Sequence, residues 1–239
     1  MNPRAILGLA LASTSLVLLP AACILVVDGD GGSLHHAFHA HDSRENAIQG
    51  SGVAKTEARP VADFHRIVVE SSANLSIEVG GATSLSVTGD DNLVGYVTTD
   101  VRDGSLVVGM KSGSYSNRLD LRVSITTPSL DGLSIRGSSD VAAFGLKGES
   151  FAVEILGSGD VRATGKVEHL DAAIAGSGDL HLDGIEAREA KVSVSGSGDV
   201  DVWASETLVA SVSGSGDVTY RGEPKVTKSV AGSGSVSKR

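Results

Sequence analysis

Apolar residues in the second half of the chain alternate with small or polar residues at a period of two. The alternate positions around the fourth glycine-rich segment are Val192, Val194, Gly196, Gly198, Val200 and Val202. The same alternation runs through residues 153–163 and 174–182. A period of two, with β-branched residues on one phase, is typical of a β-strand that buries one face. No part of this region carries the i, i+3, i+4 apolar stripe of an amphipathic helix, so we predict strands throughout.

A four-residue phrase, Gly-Ser-Gly-Asp or a close variant, returns six times within residues 131–239. The copies begin at Gly137, Gly157, Gly176, Gly196, Gly214 and Gly232, so their starts are separated by 20, 19, 20, 18 and 18 residues. Repetition at a nearly fixed period indicates a solenoid in which each repeat stacks on the one before. We therefore predict an all-β, parallel β-helix-like solenoid with coils of about 18–20 residues.

Stacked coils align equivalent residues in rows about 4.8 Å apart. The glycines of the phrase share the phase of the valines, so we expect them to face inward, at a corner or where the opposite wall leaves no room for a side chain. The serines and aspartates fall on the other phase and are expected to face solvent. The candidate binding residues in these two rows are Ser158, Asp160, Ser177, Asp179, Ser197, Asp199, Ser215 and Asp217.

The row of aspartates has two interpretations, because like charges about 5 Å apart repel each other. One interpretation is a strip that binds calcium or a polyol. The other is local: an aspartate in a glycine-rich bend accepts hydrogen bonds from nearby backbone N–H groups and tolerates unusual backbone angles. The phrase differs in spacing and length from the calcium-binding nonapeptide of β-rolls. This difference favours the local interpretation, and we predict no metal site.

The N-terminus has the layout of an export signal. Arg4 precedes an uncharged apolar run over residues 5–19, and Pro20-Ala21-Ala22-Cys23 follows. This is the order of a secretory signal, and its end resembles the bacterial lipoprotein signal, in which the cysteine is lipidated. We predict a signal peptide over residues 1–22 and a lipid on Cys23 as the only membrane contact. Because Ile24 rather than aspartate follows, the resemblance implies an outer-membrane-anchored lipoprotein; a periplasmic or secreted protein and an uncleaved anchor are the alternatives.

Residues 23–58 carry no sustained periodicity and are predicted to form a tether. Four of its histidines, His35, His36, His39 and His41, lie within seven residues. Imidazole is a common ligand of transition metals. The flanking residues supply no scaffold for such ligands, so a solvated linker is the favoured interpretation.

Residues 59–127 also contain short strand-like segments separated by turn residues. The segments span residues 66–70, 75–79, 85–87, 105–108 and 119–125. We expect this part either to continue the solenoid or to form a β-layer over its first coil. Both arrangements would cover a strand edge that otherwise promotes aggregation, and the charges of Lys238 and Arg239 would protect the other end.

The segment Phe64-His65-Arg66-Ile67, the repeated phrases and the ending over residues 224–235 together resemble the putative auto-transporter adhesin, head GIN domain family. The resemblance covers about residues 60–239 and assigns residues 59–239 to one domain, with regular repeats over 131–239. It implies a right-handed parallel β-helix-like fold in a bacterial envelope protein, a handedness that agrees with the general preference of parallel crossovers. The family offers no catalytic residues to carry over.

Composition and uniform coils favour a non-enzymatic module of the cell envelope that binds a glycan or a surface protein. A net charge of −9 disfavours nucleic acid and anionic membrane surfaces as partners. The alternatives are a polysaccharide-acting enzyme, which needs converging acids in a groove, and a purely structural spacer. His169 and His181 stand outside the repeated rows and are predicted to be surface residues. Trp203 lies on the outward phase, where packing is favoured over stacking on a sugar. No catalytic residue and no cofactor is predicted.

Overall fold

The computed structural model describes residues 47–239, which are almost entirely β-structure. Seventeen strands lie in this part of the chain, with one 3-10 turn at Val94–Tyr96 and no α-helix. The first strands are β1 (Ile48–Gln49), β2 (Ala54–Arg59), β3 (Arg66–Val69), β4 (Asn74–Val79), β5 (Ser84–Asp90), β6 (Val97–Arg102), β7 (Ser105–Met110), β8 (Tyr115–Ser116) and β9 (Arg122–Thr127). The later strands are β10 (Gly132–Ile135), β11 (Val141–Ile155), β12 (Val161–Gly176), β13 (Leu180–Gly196), β14 (Val200–Gly214), β15 (Val218–Arg221), β16 (Lys225–Gly232) and β17 (Val236–Lys238).

Successive coils stack in parallel, and their register follows the repeats of the sequence. Ile155 of β11 lies opposite Ile174 of β12, which lies opposite Val194 of β13. The first residues of β11 pair with β4 and its last residues pair with β10, so one long strand serves two faces of the solenoid. The prediction of an all-β solenoid with coils of about 18–20 residues is confirmed.

The core is a thin column of small aliphatic side chains inside the coils. Two of its rows consist of Val153, Ala172, Val192 and Ala210, and of Ile155, Ile174, Val194 and Val212, all at most 2% exposed. Burying a valine or isoleucine stabilises the fold by about 1.5–3 kcal/mol relative to leaving it in water. Because every coil adds to the same rows, the core continues from coil to coil without helices packed against it.

The glycines of the repeated phrase are required by the neighbouring coil. A Cβ atom on Gly178 would lie 2.1 Å from the carbonyl oxygen of Gly159, and one on Gly176 would lie 2.1 Å from that of Gly157. In the second to fifth copies the second glycine of the phrase is buried and the first is half-buried, as expected for inward positions. The close neighbour is the carbonyl of the preceding coil rather than the opposite wall.

The front half adds two coils whose order in space differs from their order in the chain. Strands β3 and β4 form an inner coil, which pairs with β10 and β11 on one side. Strands β7 and β9 form an outer coil, which pairs with the other side of β3 and β4. The inner coil carries a further copy of the phrase at residues 71–74, paired at a separation of 66 residues with residues 137–140.

The outer coil departs from the uniform coils expected from the sequence, because its bend carries an insertion. Val108 and Arg122 of this coil pair with Val69 and Asn74 of the inner coil. Thirteen residues therefore lie between the paired positions of the outer coil, where four suffice in the inner coil. Part of this inserted loop, β8, pairs with β1.

Antiparallel strands end the parallel stack on the side of the outer coil. Strand β6 pairs with β7, β5 pairs with β9, and β2 pairs with β5. Both arrangements expected from the sequence therefore occur together: the front half supplies further coils, and antiparallel strands cover the outermost one. This layer gives the stack an irregular edge in place of a flat parallel one.

The structure has strands ahead of residue 59, where the sequence predicts the domain to begin. The short β1 and all of β2 except its last residue, Arg59, lie in the stretch predicted to be a tether. The alternation is not visible in β2, because most of its residues are exposed on both faces. The signal peptide, Cys23 and the four clustered histidines lie outside the described residues.

At the C-terminal coil an exposed lysine stands in a row whose residues are buried in the earlier coils. Lys228 stands in the row of Val192 and Ala210, and its Nζ donates to the carbonyl of Val236, 3.0 Å away. Val230, equivalent to the buried Val212, is 42% exposed on this coil. The lysine thus covers part of an otherwise apolar interior, whereas the expected edge charges Lys238 and Arg239 pair with Glu223 and Asp183.

Asp90 fixes the antiparallel layer to two loops. Its carboxylate is 1% exposed and accepts backbone hydrogen bonds from Gly52 (2.6 Å), Arg118 (2.9 Å) and Leu119 (3.1 Å). Burial raises the pKa of this carboxyl, but the three N–H donors and the charge of Arg118 together lower the pKa below its usual value.

Gly178→Ala tests the close contact between coils. The added methyl would meet a backbone carbonyl, so we expect the free energy of unfolding to fall by about 3 kcal/mol or more, the upper end of overpacking costs. Gly95→Ala is the matched control, because no atom lies within 4 Å of the place that its Cβ atom would take; we expect a change within about 1 kcal/mol. Urea unfolding measures both, and equal effects would contradict the packing argument.

Asp90→Asn tests the buried carboxylate. An amide presents an N–H group to one of the three donors, so we expect the variant to be less stable than the parent at pH 7. Since the pKa of the folded protein lies below that of the unfolded chain, the parent's advantage is present above about pH 4 and is lost as the pH falls further. Asp100→Asn, at an exposed pair with Arg102, should show little change at either pH. A parent–variant difference that does not depend on pH would overturn this account.

Candidate functional site: the serine-aspartate ridge

The structure brings the predicted site residues together on the bends between coils. We use the name serine-aspartate ridge for the rows of Ser138, Ser158, Ser177, Ser197, Ser215 and Ser233, and of Asp140, Asp160, Asp179, Asp199 and Asp217, which are exposed except for the half-buried Asp179. The bends stack directly, because each serine N–H donates to the first glycine of the preceding phrase, as from Ser177 to Gly157 at 3.1 Å. The ridge therefore runs along the solenoid at the spacing of the coils.

One oxygen of each aspartate holds the next coil. Oδ1 of Asp160 accepts the backbone N–H of Asp179 at 2.9 Å, and Oδ1 of Asp179 accepts that of Asp199 at 2.8 Å. The same bond joins Asp140 to Asp160 at 3.2 Å and Asp199 to Asp217 at 2.7 Å. This geometry supports the local interpretation of the aspartates, since each carboxylate satisfies a backbone donor of a glycine-rich bend.

At the two ends of the aspartate row, other residue types take part in the same hydrogen bond between coils. At the inner coil, Oδ1 of Asn74 accepts the N–H of Asp140 at 3.3 Å. At the last coil, both the N–H and the hydroxyl of Ser235 donate to Oδ1 of Asp217, at 2.7 and 2.9 Å. At the inner end an amide oxygen therefore replaces a carboxylate oxygen as the acceptor, and the negative charge is not needed for the bond itself.

The outer groups of the ridge have no protein partner in the part of the chain that the structure describes. Within residues 47–239, the serine hydroxyls of the six copies and the second oxygen of each ridge aspartate make no hydrogen bond or ion pair with protein. In the same part of the chain, no three His, Cys, Asp or Glu side chains converge in a way that could hold a metal ion. The ridge thus offers repeated acceptors and hydroxyl groups on a backbone that its own hydrogen bonds make rigid.

A second row of polar residues runs beside the ridge, on the strand residues that follow the aspartates. Ala142, Arg162, His181 and Asp201 are neighbours in successive coils. Nδ1 of His181 lies 3.3 Å from Oδ2 of Asp201, which orients the ring. The small side chain of Ala142 leaves a shallow depression of about 280 Å³ between Arg162 and the nearest ridge carboxylates.

The other polar residues singled out from the sequence have surface or packing roles. His169 is half exposed, and its Nδ1 lies 3.3 Å from a carboxylate oxygen of Glu189 on the next coil. The guanidinium of Arg221 lies 4.0 Å from the centre of the Trp203 ring, and the tryptophan is half-buried. Arg221 therefore occupies the ring as a cation–π partner, which supports packing for Trp203 rather than stacking on a sugar.

The contribution of His181 and Arg162 was not predicted from the sequence, because neither residue belongs to a repeated set. The inner-coil copy of the phrase was also missed, because its Ser71-Ser72-Ala73-Asn74 lacks glycine. The one available signal was the alternation around it, which places Val69, Ala73 and Leu75 on the buried phase.

Comparison with known proteins agrees with this geometry. The family model described as Putative auto-transporter adhesin, head GIN domain, matches residues 63–224. A solved structure of a putative adhesin from Bacteroides fragilis is 26% identical and aligns with a TM-score of 0.70 over 81% of this chain and 100% of its own. A putative lipid binding protein from Parabacteroides distasonis is 25% identical, with a TM-score of 0.53 over 81% and 99% of the two chains.

A putative adhesin, also from Parabacteroides distasonis, shares the fold at 20% identity, with a TM-score of 0.54 over 81% of this chain and 100% of its own. The search of curated proteins gave no match. The family match spans more than half of the sequence and includes the inner coil, the outer coil and most of the regular repeats. The chain therefore belongs to the putative auto-transporter adhesin, head GIN domain family.

Proposed function

We propose that this protein is an exported, non-catalytic adhesin-like module of the cell envelope that binds an extended glycan along the serine-aspartate ridge. The observation that carries the proposal is a repeated pair of groups, one hydroxyl and one carboxylate oxygen, that have no protein partner within residues 47–239 and recur on the five coils from Ser138 and Asp140 to Ser215 and Asp217. Groups repeated at a fixed spacing suit a polymer whose own hydroxyl groups repeat. Because the bends are already held by backbone hydrogen bonds, binding loses little conformational entropy.

The depression beside the ridge supports a glycan rather than a flat protein surface as the ligand. Arg162 and His181 add hydrogen-bond donors to a row that otherwise presents acceptors and hydroxyl groups. A site that mixes donors with acceptors can pair both roles of a sugar hydroxyl group. The acidic ridge also disfavours nucleic acid as the ligand, because phosphates and carboxylates repel.

Two carboxylates of the antiparallel layer, Glu57 and Asp90, have a lowered pKa. The hydrogen bonds of Lys55 and Arg59 lower the pKa of Glu57, and backbone donors lower that of Asp90. Both groups lie in the antiparallel layer and act as structural acceptors. A glycosidase needs a carboxylic acid whose pKa is raised beside a second carboxylate, and the alternative of a polysaccharide-acting enzyme gains no support from these two groups.

The proposed envelope location rests on the predicted signal over residues 1–22 and the lipid on Cys23. A tether after the cysteine would hold the ridge away from the membrane surface. The adhesin descriptions of the structural neighbours support a surface role. Within residues 47–239, no helix is long and apolar enough to span a membrane.

The aspartates can be changed without dismantling the fold, which makes the proposal testable. Replacing Asp160, Asp179, Asp199 and Asp217 by Asn keeps an amide oxygen for each backbone donor, as at Asn74, and removes repulsion between neighbours. We expect the free energy of unfolding to stay the same or rise. Replacing the same four by Ala removes the acceptors, at about 0.5–1.5 kcal/mol for each lost bond. Urea unfolding compares the two; an Asn variant as unstable as the Ala variant would contradict the hydrogen-bond account.

The binding test screens the full chain against bacterial and host polysaccharides, with calcium and with chelator. We expect the four-site Asn variant to bind at least tenfold more weakly than the parent. The matched control changes Glu168, Glu189 and Glu206 to Gln and Asp171 to Asn, which removes the same charge from other exposed positions and should leave binding intact. If both variants weakened binding equally, the effect would come from net charge and not from the position of the ridge aspartates. No polysaccharide binding by the parent under either condition would leave the structural spacer as the function.

A further inference from the structure

The inserted loop of the outer coil builds the one place among residues 47–239 where two tyrosines meet. The rings of Tyr96 and Tyr115 lie 5.1 Å apart between centroids and are inclined by 52°. Nζ of Lys111 lies 5.8 Å from the centroid of the Tyr96 ring and donates to the carbonyl of Gly95 at 3.1 Å. Aromatic residues make up only 3% of the chain, so their meeting on an exposed loop is a local departure from its composition.

The loop is held in one conformation by several independent contacts. The hydroxyl of Tyr115 donates to the carbonyl of Lys111 at 2.8 Å. Ile48 and Gln49 of β1 pair in parallel with Tyr115 and Ser116 of β8. Gly113 is in close contact with Tyr115, since a Cβ atom at residue 113 would lie 2.8 Å from the Tyr115 hydroxyl oxygen. These contacts present the Tyr115 ring as a fixed surface.

The loop borders an open depression at the end of the serine-aspartate ridge. The depression has a volume of about 410 Å³, and its lining includes Ser71 and Ser72, the start of the inner-coil copy of the phrase. The inserted loop contributes Met110, Lys111, Ser112, Gly113, Tyr115 and Asn117 to the lining. This volume falls in the range of small-molecule sites, about 300–1,000 Å³.

The chemistry of this lining suits a saccharide. Tyr115 supplies an apolar ring with a polar tip, which can face the C–H side of a sugar ring. Ser72, Ser112 and Asn117 are exposed, and within the described residues their side chains make no hydrogen bond, so hydroxyl and amide groups remain free for the edges of a sugar. A mainly apolar ligand would leave these polar groups unpaired, which disfavours a lipid chain.

We propose that this depression binds a single sugar residue, with Tyr115 as the stacking platform and Ser72, Ser112 and Asn117 as hydrogen-bond partners. The site is separate from the ridge in its residues and in its chemistry, because it has an aromatic surface and no carboxylate. It therefore stands whether or not the ridge binds a polymer. Where both bind, a glycan lying on the ridge ends in this depression, which recognises its terminal residue.

The test uses the full chain and free mono- and disaccharides: neutral hexoses, N-acetylhexosamines and uronic acids. Saturation-transfer difference NMR detects the bound sugars, and titration gives their Kd. We expect at least one class to bind, Tyr115→Ala to weaken it at least tenfold, and Tyr115→Phe to stay within about threefold, because the ring is kept. The four-site Asn variant of the ridge should bind the same sugar as the parent does, which separates failure of this site from failure of the ridge.

Asn117→Ala and Ser112→Ala keep the test decisive if Tyr115→Ala disturbs the loop, since both side chains are exposed and, within the described residues, unpartnered. Each should weaken the same sugar severalfold while circular dichroism and the thermal midpoint stay unchanged. Gly113→Ala should also weaken it, because the methyl displaces the Tyr115 ring. The proposal is overturned if no saccharide binds to the parent. It is also overturned if these loop variants bind the sugar as tightly as the parent does.

Discussion

The close stacking of the bends is the constraint on which the rest of the structure depends. A Cβ atom on the glycine of the next coil would come within about 2.1 Å of the carbonyl oxygen of each phrase glycine, so that position must also be glycine. The close stacking of the bends also lets the serine N–H of one bend reach the carbonyl of the preceding bend. The side chains between the two glycines have no room inside and face solvent. A packing requirement of the backbone thus creates the exposed rows of serine and aspartate.

The aspartate row balances two opposing electrostatic effects. Neighbouring carboxylates repel at the spacing of the coils, while each accepts an N–H from the adjacent coil at 2.7–3.2 Å. Hydrogen bonds to a charged acceptor are stronger than those to a neutral one. The bonds use only Oδ1, so the second oxygen remains in water and the repulsion is screened there. The fold therefore tolerates a row of negative charge on its surface.

The regular repeats were predictable because their period sets the pairing register directly. Ile155, Ile174 and Val194 stand one repeat apart in the sequence and lie opposite one another in the sheet. The front half was not predictable in the same way, since its inner coil pairs with residues 66 positions later and the outer coil lies between them in the chain. Strand β2 was not predicted, because a strand exposed on both faces lacks the alternation of apolar and polar residues. The contact between Tyr96 and Tyr115 depends on how the inserted loop folds, and no local sequence pattern predicts that fold.

Regular coils and the inserted loop limit recognition in different ways. A uniform coil can present only the same groups again, so the ridge can match a repeating partner but cannot distinguish one position along it from another. A site for a single sugar residue needs a break in the repeat, where side chains of different kinds converge. In the described residues that break occurs at the bend of the outer coil, which contains thirteen residues, whereas the bend of the inner coil contains four. Because this loop stands at one end of the ridge, it gives the otherwise periodic surface a defined starting point.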